Sequence, residues 1–159
     1  MKEKSRKTAR QGGGRGTNVA DVMVSDVVVI DGEATLIEAA ELMREDNVGV
    51  LPVIENGKLT GVLTDRDLVI RAIARGADPA STRVAECASR DLVCARPDWS
   101  VGDAMEVMAD AQVGRLPVID EEDRIVGIVT LSSLALRSRK QSDALQTAKE
   151  VAMRSARAA

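Results

Sequence analysis

The strongest constraint on this chain is that it is written twice. Asn47 to Thr64 reads NVGVLPVIENGKLTGVLT, and Gln112 to Thr130 reads QVGRLPVIDEEDRIVGIVT. Val48, Gly49, Leu51, Pro52, Val53 and Ile54 return 65 residues later as Val113, Gly114, Leu116, Pro117, Val118 and Ile119. One extra residue in the second turn shifts the offset, and Gly61, Thr64 and Leu68 return as Gly127, Thr130 and Leu134. Upstream, ATLIEAAELM answers WSVGDAMEVM, and VAD with SDVVV answers VAE with RDLVC. A register this long predicts two copies of one supersecondary unit. A copy of about 60 residues buries too little surface to be comfortable alone, so the two are expected to share a core.

Each copy reads as strand, helix, strand, strand, helix. The apolar runs Val27–Ile30 and Leu92–Cys94 are buried-strand candidates. Thr35 and Ser100 follow, each with an acid three residues on (Glu38, Asp103), the spacing of a capping box. Behind them, Leu36, Ala39, Ala40 and Met43, and Val101, Ala104, Met105 and Met108, fall at helical spacing. Helices are predicted over Thr35–Asp46 and Ser100–Ala111, and the methionines are assigned to the core. Strands are predicted over 50–54 and 115–119, returning over 59–64 and 124–130. Asn56-Gly57 is a strong hairpin signal between the first pair. Helices then begin at Asp65–Leu68 and Leu131–Leu134, the first ending near Gly76 because Asp78-Pro79 prevents continuation. The fold class is α/β (α+β), with two units packed around a pseudo-two-fold axis. The expected divisions are a disordered basic tail over 1–16, units over 17–78 and 79–137, and an Ala-rich helix or tail over 138–159.

Composition removes several functions. The chain has no histidine, so no His base and no His metal ligand, and Cys87 and Cys94 alone cannot make a zinc site. The cysteines read as reduced, partly buried thiols of a cytoplasmic protein. With no Phe or Tyr, and Trp99 the only aromatic, there is no stacking platform for single-stranded nucleic acid. Trp99 itself reads as a packing residue or an interface anchor. Residues 17–136 hold 10 basic and 22 acidic side chains, while 1–16 and 137–159 carry six Lys/Arg each. An acidic body with basic ends is a poor general DNA binder, although the ends suit an acidic partner. No apolar run is long enough to span a bilayer, and the basic start MKEKSRK lacks an apolar signal core.

The tandem LPVI…GVLTDRDL pattern resembles a pair of CBS domains, the family named after cystathionine β-synthase, over about residues 19–137. The resemblance implies two intertwined α/β units, a flat homodimer of such pairs, and regulation by an adenosine-bearing ligand such as AMP, ADP, ATP, S-adenosylmethionine or a dinucleotide. It places adenine in an apolar slot near Val28 and Val48, Gly49 and Val50, with Pro52 holding the strand's entry. It assigns Arg115, at the position of Val50 in the first copy, to the phosphate held by the other copy's corner, with Arg66 a weaker candidate. It also marks Val24 as a departure, since many family members place a threonine after that methionine.

The corner chemistry follows from the residues. A ribose offers two vicinal hydroxyl donors, and one carboxylate accepts both with charge assistance. Asp67 lies three residues after Thr64, one turn into the new helix, so Thr64 would contact ribose or α-phosphate and Asp67 the ribose hydroxyls. The helix start would offer free amides to a phosphate. Gly61 would let its strand pass close to another backbone. At the second corner Thr130 remains, but Ser133 replaces the acid, and Val93 and Gly114 stand where Val28 and Gly49 do. One competent nucleotide site and one degenerate site are therefore expected.

No obligatory cofactor or metal site is expected. Mg²⁺ enters only beside a triphosphate, with Asp65 and Asp67 as the nearby acids. No nucleophile-base pair or metal cluster supports an enzyme. The leading function is thus a ligand sensor that signals to a partner protein. The competing one is a dimerisation scaffold with vestigial sites, whose basic tails bind nucleic acid or an acidic protein. On that second reading, Thr64 and Asp67 are only a helix cap.

Overall fold

The computed structural model describes residues 17–137 and Val151. The expectations for 1–16 and for 138–159 fall, Val151 apart, outside the described residues. The chain opens with a 3₁₀ turn, Val19–Asp21, then runs β1 (Ile30–Asp31), α1 (Leu36–Glu45), β2 (Val50–Glu55) and β3 (Lys58–Thr64). After β3 come α2 (Asp65–Asp67), a π turn over Leu68–Ala72 and a 3₁₀ turn over Ile73–Arg75. The second copy follows as α3 (Val84–Cys87), α4 (Val101–Ala111), β4 (Arg115–Ile119), β5 (Ile125–Thr130) and α5 (Leu131–Arg137).

The predicted caps form. Thr35 Oγ1 accepts from the Glu38 amide at 3.3 Å, and the Glu38 carboxylate accepts from the Thr35 amide at 2.7 Å. The Thr35 amide bond, with a second from the Thr35 hydroxyl to the same oxygen at 2.9 Å, holds the Glu38 carboxyl below its ordinary value. Ser100 and Asp103 repeat the arrangement at 3.1 and 3.2 Å. Both helices end alike: Asn47 and Gln112 turn left-handed (φ 53° and 59°), and the next amides, of Val48 and Val113, each donate to a methionine carbonyl five residues back, at 3.0 Å. The Asn56-Gly57 turn also forms, with φ of 52° and 77°, the signature of a hairpin whose twist matches its strands. The helix after β3 closes at Gly76 in the left-handed region (φ 66°).

Two strand expectations need correction. Val27–Ile30 contributes only Ile30 to a strand, and Leu92–Cys94 forms none. β1 pairs in parallel with β2 only at Ile30↔Val53 and Asp31↔Ile54. The Leu92 amide turns back onto the Arg90 carbonyl at 2.9 Å, which takes it out of any ladder. An apolar run names no ladder partner. The one-turn helices Val19–Asp21 and Val84–Cys87, the repeated VAD and VAE, are too short to show a helical period.

Packing gathers the described chain into two units. One spans 24–94 with 117–127. Its three-stranded sheet runs β1-β2-β3, with β2 and β3 antiparallel from Val50↔Thr64 to Glu55↔Lys58 and a bulge after Val53. Its core joins Leu36, Ala39 and Met43 of α1 to Leu51, Val53 and Leu63 of the sheet, sealed by Val84 and Cys87. Each fully buried Leu, Val or Met side chain contributes about 1.5–3 kcal/mol, so aliphatic residues supply the core without aromatics. The other unit spans 17–23, 95–116 and 128–137. There α4 packs on α5, burying Ala104, Met108 and Leu134 completely. β4 and β5 form a second, two-stranded sheet.

Candidate functional site

Gly61 sets the geometry of the corner. Its neighbour Val62 exchanges backbone bonds of 3.0 and 2.9 Å with Ser89. A Cβ on Gly61 would stand 3.2 Å from both the Ser89 carbonyl oxygen and the Ala88 Cβ. The strand therefore passes close to a second backbone there, as its sequence implied. Three residues on, Thr64 ends β3 opposite Val50 and caps α2.

Thr64 and Asp67 hold each other. The Thr64 amide and hydroxyl donate to Asp67 Oδ2 at 3.0 and 2.7 Å, and the Asp67 amide donates to Thr64 Oγ1 at 3.1 Å. The Asp67 side chain keeps 16% of its exposure. Its other oxygen, Oδ1, lies 3.3 Å from Nε of Arg71. Burial pushes the nearby Cys87 thiol up from its ordinary value, Glu86 adds to this, and Arg71 pulls the other way.

The free amides expected at this helix start are not free. The Asp65 amide donates to the Gly49 carbonyl at 3.1 Å, Arg66 to Asp65 Oδ1 at 2.7 Å, and Asp67 to Thr64. The α-helix proper is three residues long before the π turn, and two side chains with the carbonyl of Gly49, just before β2, take all three donors.

The remaining expected residues divide. Val28 and Val48 are half-buried against the core that carries the corner, and Val50 faces Thr64 across the hairpin. Gly49 is exposed and packed by Asp65, whose Oδ2 would lie 3.0 Å from a Cβ there. Pro52 is fully buried and pairs with Val62, a packing position within β2. Arg66 is exposed, with its amide tied to Asp65. Arg115 is exposed at the start of β4 and belongs to the other packing unit.

The second corner repeats the backbone of the first. The Leu131 amide donates to the Gly114 carbonyl at 3.0 Å, as Asp65 does to Gly49. Ser133 Oγ accepts from the Thr130 amide at 3.1 Å and donates to the Thr130 carbonyl at 2.9 Å, while its own amide donates to Thr130 Oγ1 at 3.1 Å. The cap is closed without a charge. Val93 is 39% exposed and lies in the other packing unit from Thr130 and Ser133.

Arg71 was not anticipated. Its signal was present in its i,i+4 spacing from Asp67 and in its return as Arg137. Among the described residues, no three cysteines or acids gather where they would hold a metal ion. No helix among them is long and apolar enough to cross a membrane.

Comparison with known proteins gives this geometry a family. The CBS domain pattern matches residues 19–73 and again 84–139. The CBS domain-containing protein YhcV of Bacillus subtilis is 41% identical over 128 residues, covering 80% of this chain and 90% of its own. A crystal structure of Hypoxic Response Protein I with two coordinated zinc ions matches with a TM-score of 0.69 and 38% identity, over 76% of this chain and 98% of that one. The CBS domain pair of MJ0100, in complex with 5′-methylthioadenosine and S-adenosyl-L-methionine, matches with a TM-score of 0.65 and 26% identity, over 76% and 94%. The chain belongs to the CBS domain family and carries two of its domains in tandem, of mixed α/β fold.

Proposed function

We propose that this chain is a regulatory module that binds an adenosine-bearing ligand at the Thr64–Asp67 corner and performs no chemistry of its own. The observation that carries the reading is the contrast between the two corners. Ser133 closes its cap with a hydroxyl, so the cap does not need the charge or second oxygen of Asp67. The surplus is a charged double acceptor, the group that matches vicinal ribose hydroxyls. On binding, the Thr64 hydroxyl turns from Asp67 Oδ2 to the ligand and releases a lone pair there. Val28, Val48 and the exposed backbone at Gly49 supply the neighbouring apolar and amide surface for a purine. The adenosyl ligands of MJ0100 support this ligand class. A partner protein would read the occupied state.

A thermal-shift panel of AMP, ADP, ATP, S-adenosylmethionine and NAD, with and without Mg²⁺, tests the reading. At least one ligand is expected to stabilise the chain by an amount that grows with concentration as mass action requires. A flat response to all five at millimolar concentration sinks it. The dimerisation scaffold would then be favoured, on the strength of an apolar groove of about 400 Å³ between α1 and the turns that follow α2.

A further inference from the structure

Asp67 is held from two sides. Oδ2 accepts both Thr64 donors, while Oδ1 faces Nε of Arg71 at 3.3 Å. The same guanidinium donates through Nη1 to the Cys87 carbonyl at 3.1 Å. Cys87 ends α3, and two residues on Ser89 is bonded to β3. Arg71 is thus fixed at both ends: on the ligand-facing carboxylate, and on a carbonyl carried by a different element. It lies within the π turn Leu68–Ala72, one turn beyond the acid it holds.

We infer that Arg71 is the positioning residue of the ribose clamp and sets its preference for an intact vicinal diol. The inference rests on the adenosyl-ligand reading above. A carboxylate with 16% of its surface left is sealed further when a nucleoside covers it, and an uncompensated charge in that position is strongly penalised. Arg71 supplies the compensation. The guanidinium lies beside Oδ1 as an ion pair at 3.3 Å, and leaves that oxygen an acceptor direction for a hydroxyl. With Oδ1 aimed by Arg71 and Oδ2 by the cap, the two oxygens present a fixed pair to the 2′ and 3′ hydroxyls. The same positive charge offsets the repulsion between Asp67 and a phosphate on the ligand.

The test measures calorimetric affinities of the full chain for AMP and for 2′,3′-dideoxy-AMP. The wild type is expected to prefer AMP by about a hundredfold, the worth of two charge-assisted hydrogen bonds. Arg71→Met keeps the stem but not the charge, and should cut that ratio by about tenfold. Arg71→Lys returns a cation within reach of Asp67 and should regain most of it. Loss of fold weakens both ligands alike, so it cannot imitate a change in ratio. A wild-type ratio in Arg71→Met overturns the role of Arg71 alone, as does a ratio in Arg71→Lys no better than in Arg71→Met. A wild type that binds both nucleotides equally overturns the ribose reading itself and this inference with it.

Discussion

Thr64 and Thr130 sit at the same point of the same turn, and three residues on one copy has Asp67 and the other Ser133. Both side chains accept the threonine amide, so the difference between them is charge and a second oxygen. This makes Asp67→Ser an informative substitution, since it writes the second corner into the first. The cap is expected to survive. The lost Arg71 pair is partly exposed and should cost no more than about 1 kcal/mol of stability. Nucleotide affinity should fall by about a hundredfold or more, because both ribose acceptors go. Calorimetry beside a thermal melt checks this. Unchanged affinity in Asp67→Ser would leave Asp67 a helix cap and nothing else. The contrast between Asp67 and Ser133 was legible in the sequence because the repeat supplied its own control, a matched position without the acid. The occupation of the three amides was not legible. Donors at a helix start look free until the Asp65 side chain and the Gly49 carbonyl are in place, and the latter arrives from the loop that leads into β2.

At the scale of elements, whatever closes within three or four residues was readable. Thr35 and Ser100 cap the helices they were expected to cap, and the Asn56-Gly57 turn forms, since each needs only its own neighbours. Strand β1 shows the opposite case. Its ladder depends on β2, some twenty residues on, and Val27 to Val29 find no place in it. The helix ends carry a further consequence. Asn47 and Gln112 occupy the same left-handed cap in the two copies, with φ of 53° and 59°. Asparagine visits that region at little cost because its amide bonds locally, whereas a glutamine there bears about 1 kcal/mol of strain. Gln112→Asn is therefore expected to stabilise the chain by about 0.5–1 kcal/mol, and Asn47→Gln to destabilise it by a similar amount. Urea denaturation reads both. Equal and negligible effects would mean that the strain is relieved elsewhere in the α4 terminus.

On the scale of the molecule, charge and apolar surface pull against each other. Residues 17–136 carry 22 acids against 10 bases, a charge that opposes the approach of two such bodies. Yet Ile37, Val69, Ile70 and Ile73 are 41–71% exposed in the unit that holds the Asp67 corner, and Ile37 and Ile73 line the groove of about 400 Å³. On the dimerisation reading, a second copy of this chain would cover this face. Glu41 and Arg44 lie three residues apart on the groove wall of α1, so a two-fold pairing of the helices sets each acid opposite a base of the other copy. Ile37 and Ile73 of each copy would regain only the still-exposed share of the about 1.5–3 kcal/mol that full burial contributes apiece, which is modest against the roughly 4–15 kcal/mol that association costs. The expected result is a dimer of modest affinity, tightened by salt because screening removes the repulsion between acidic bodies. Ile73→Asp puts a charge at its most exposed apolar contact, and should shift the chain to monomer while circular dichroism stays unchanged. Sedimentation equilibrium at two ionic strengths measures both effects. A wild type that stays monomeric at millimolar concentration in high salt would rule out this face, and a dimer that survives Ile73→Asp would move the interface elsewhere.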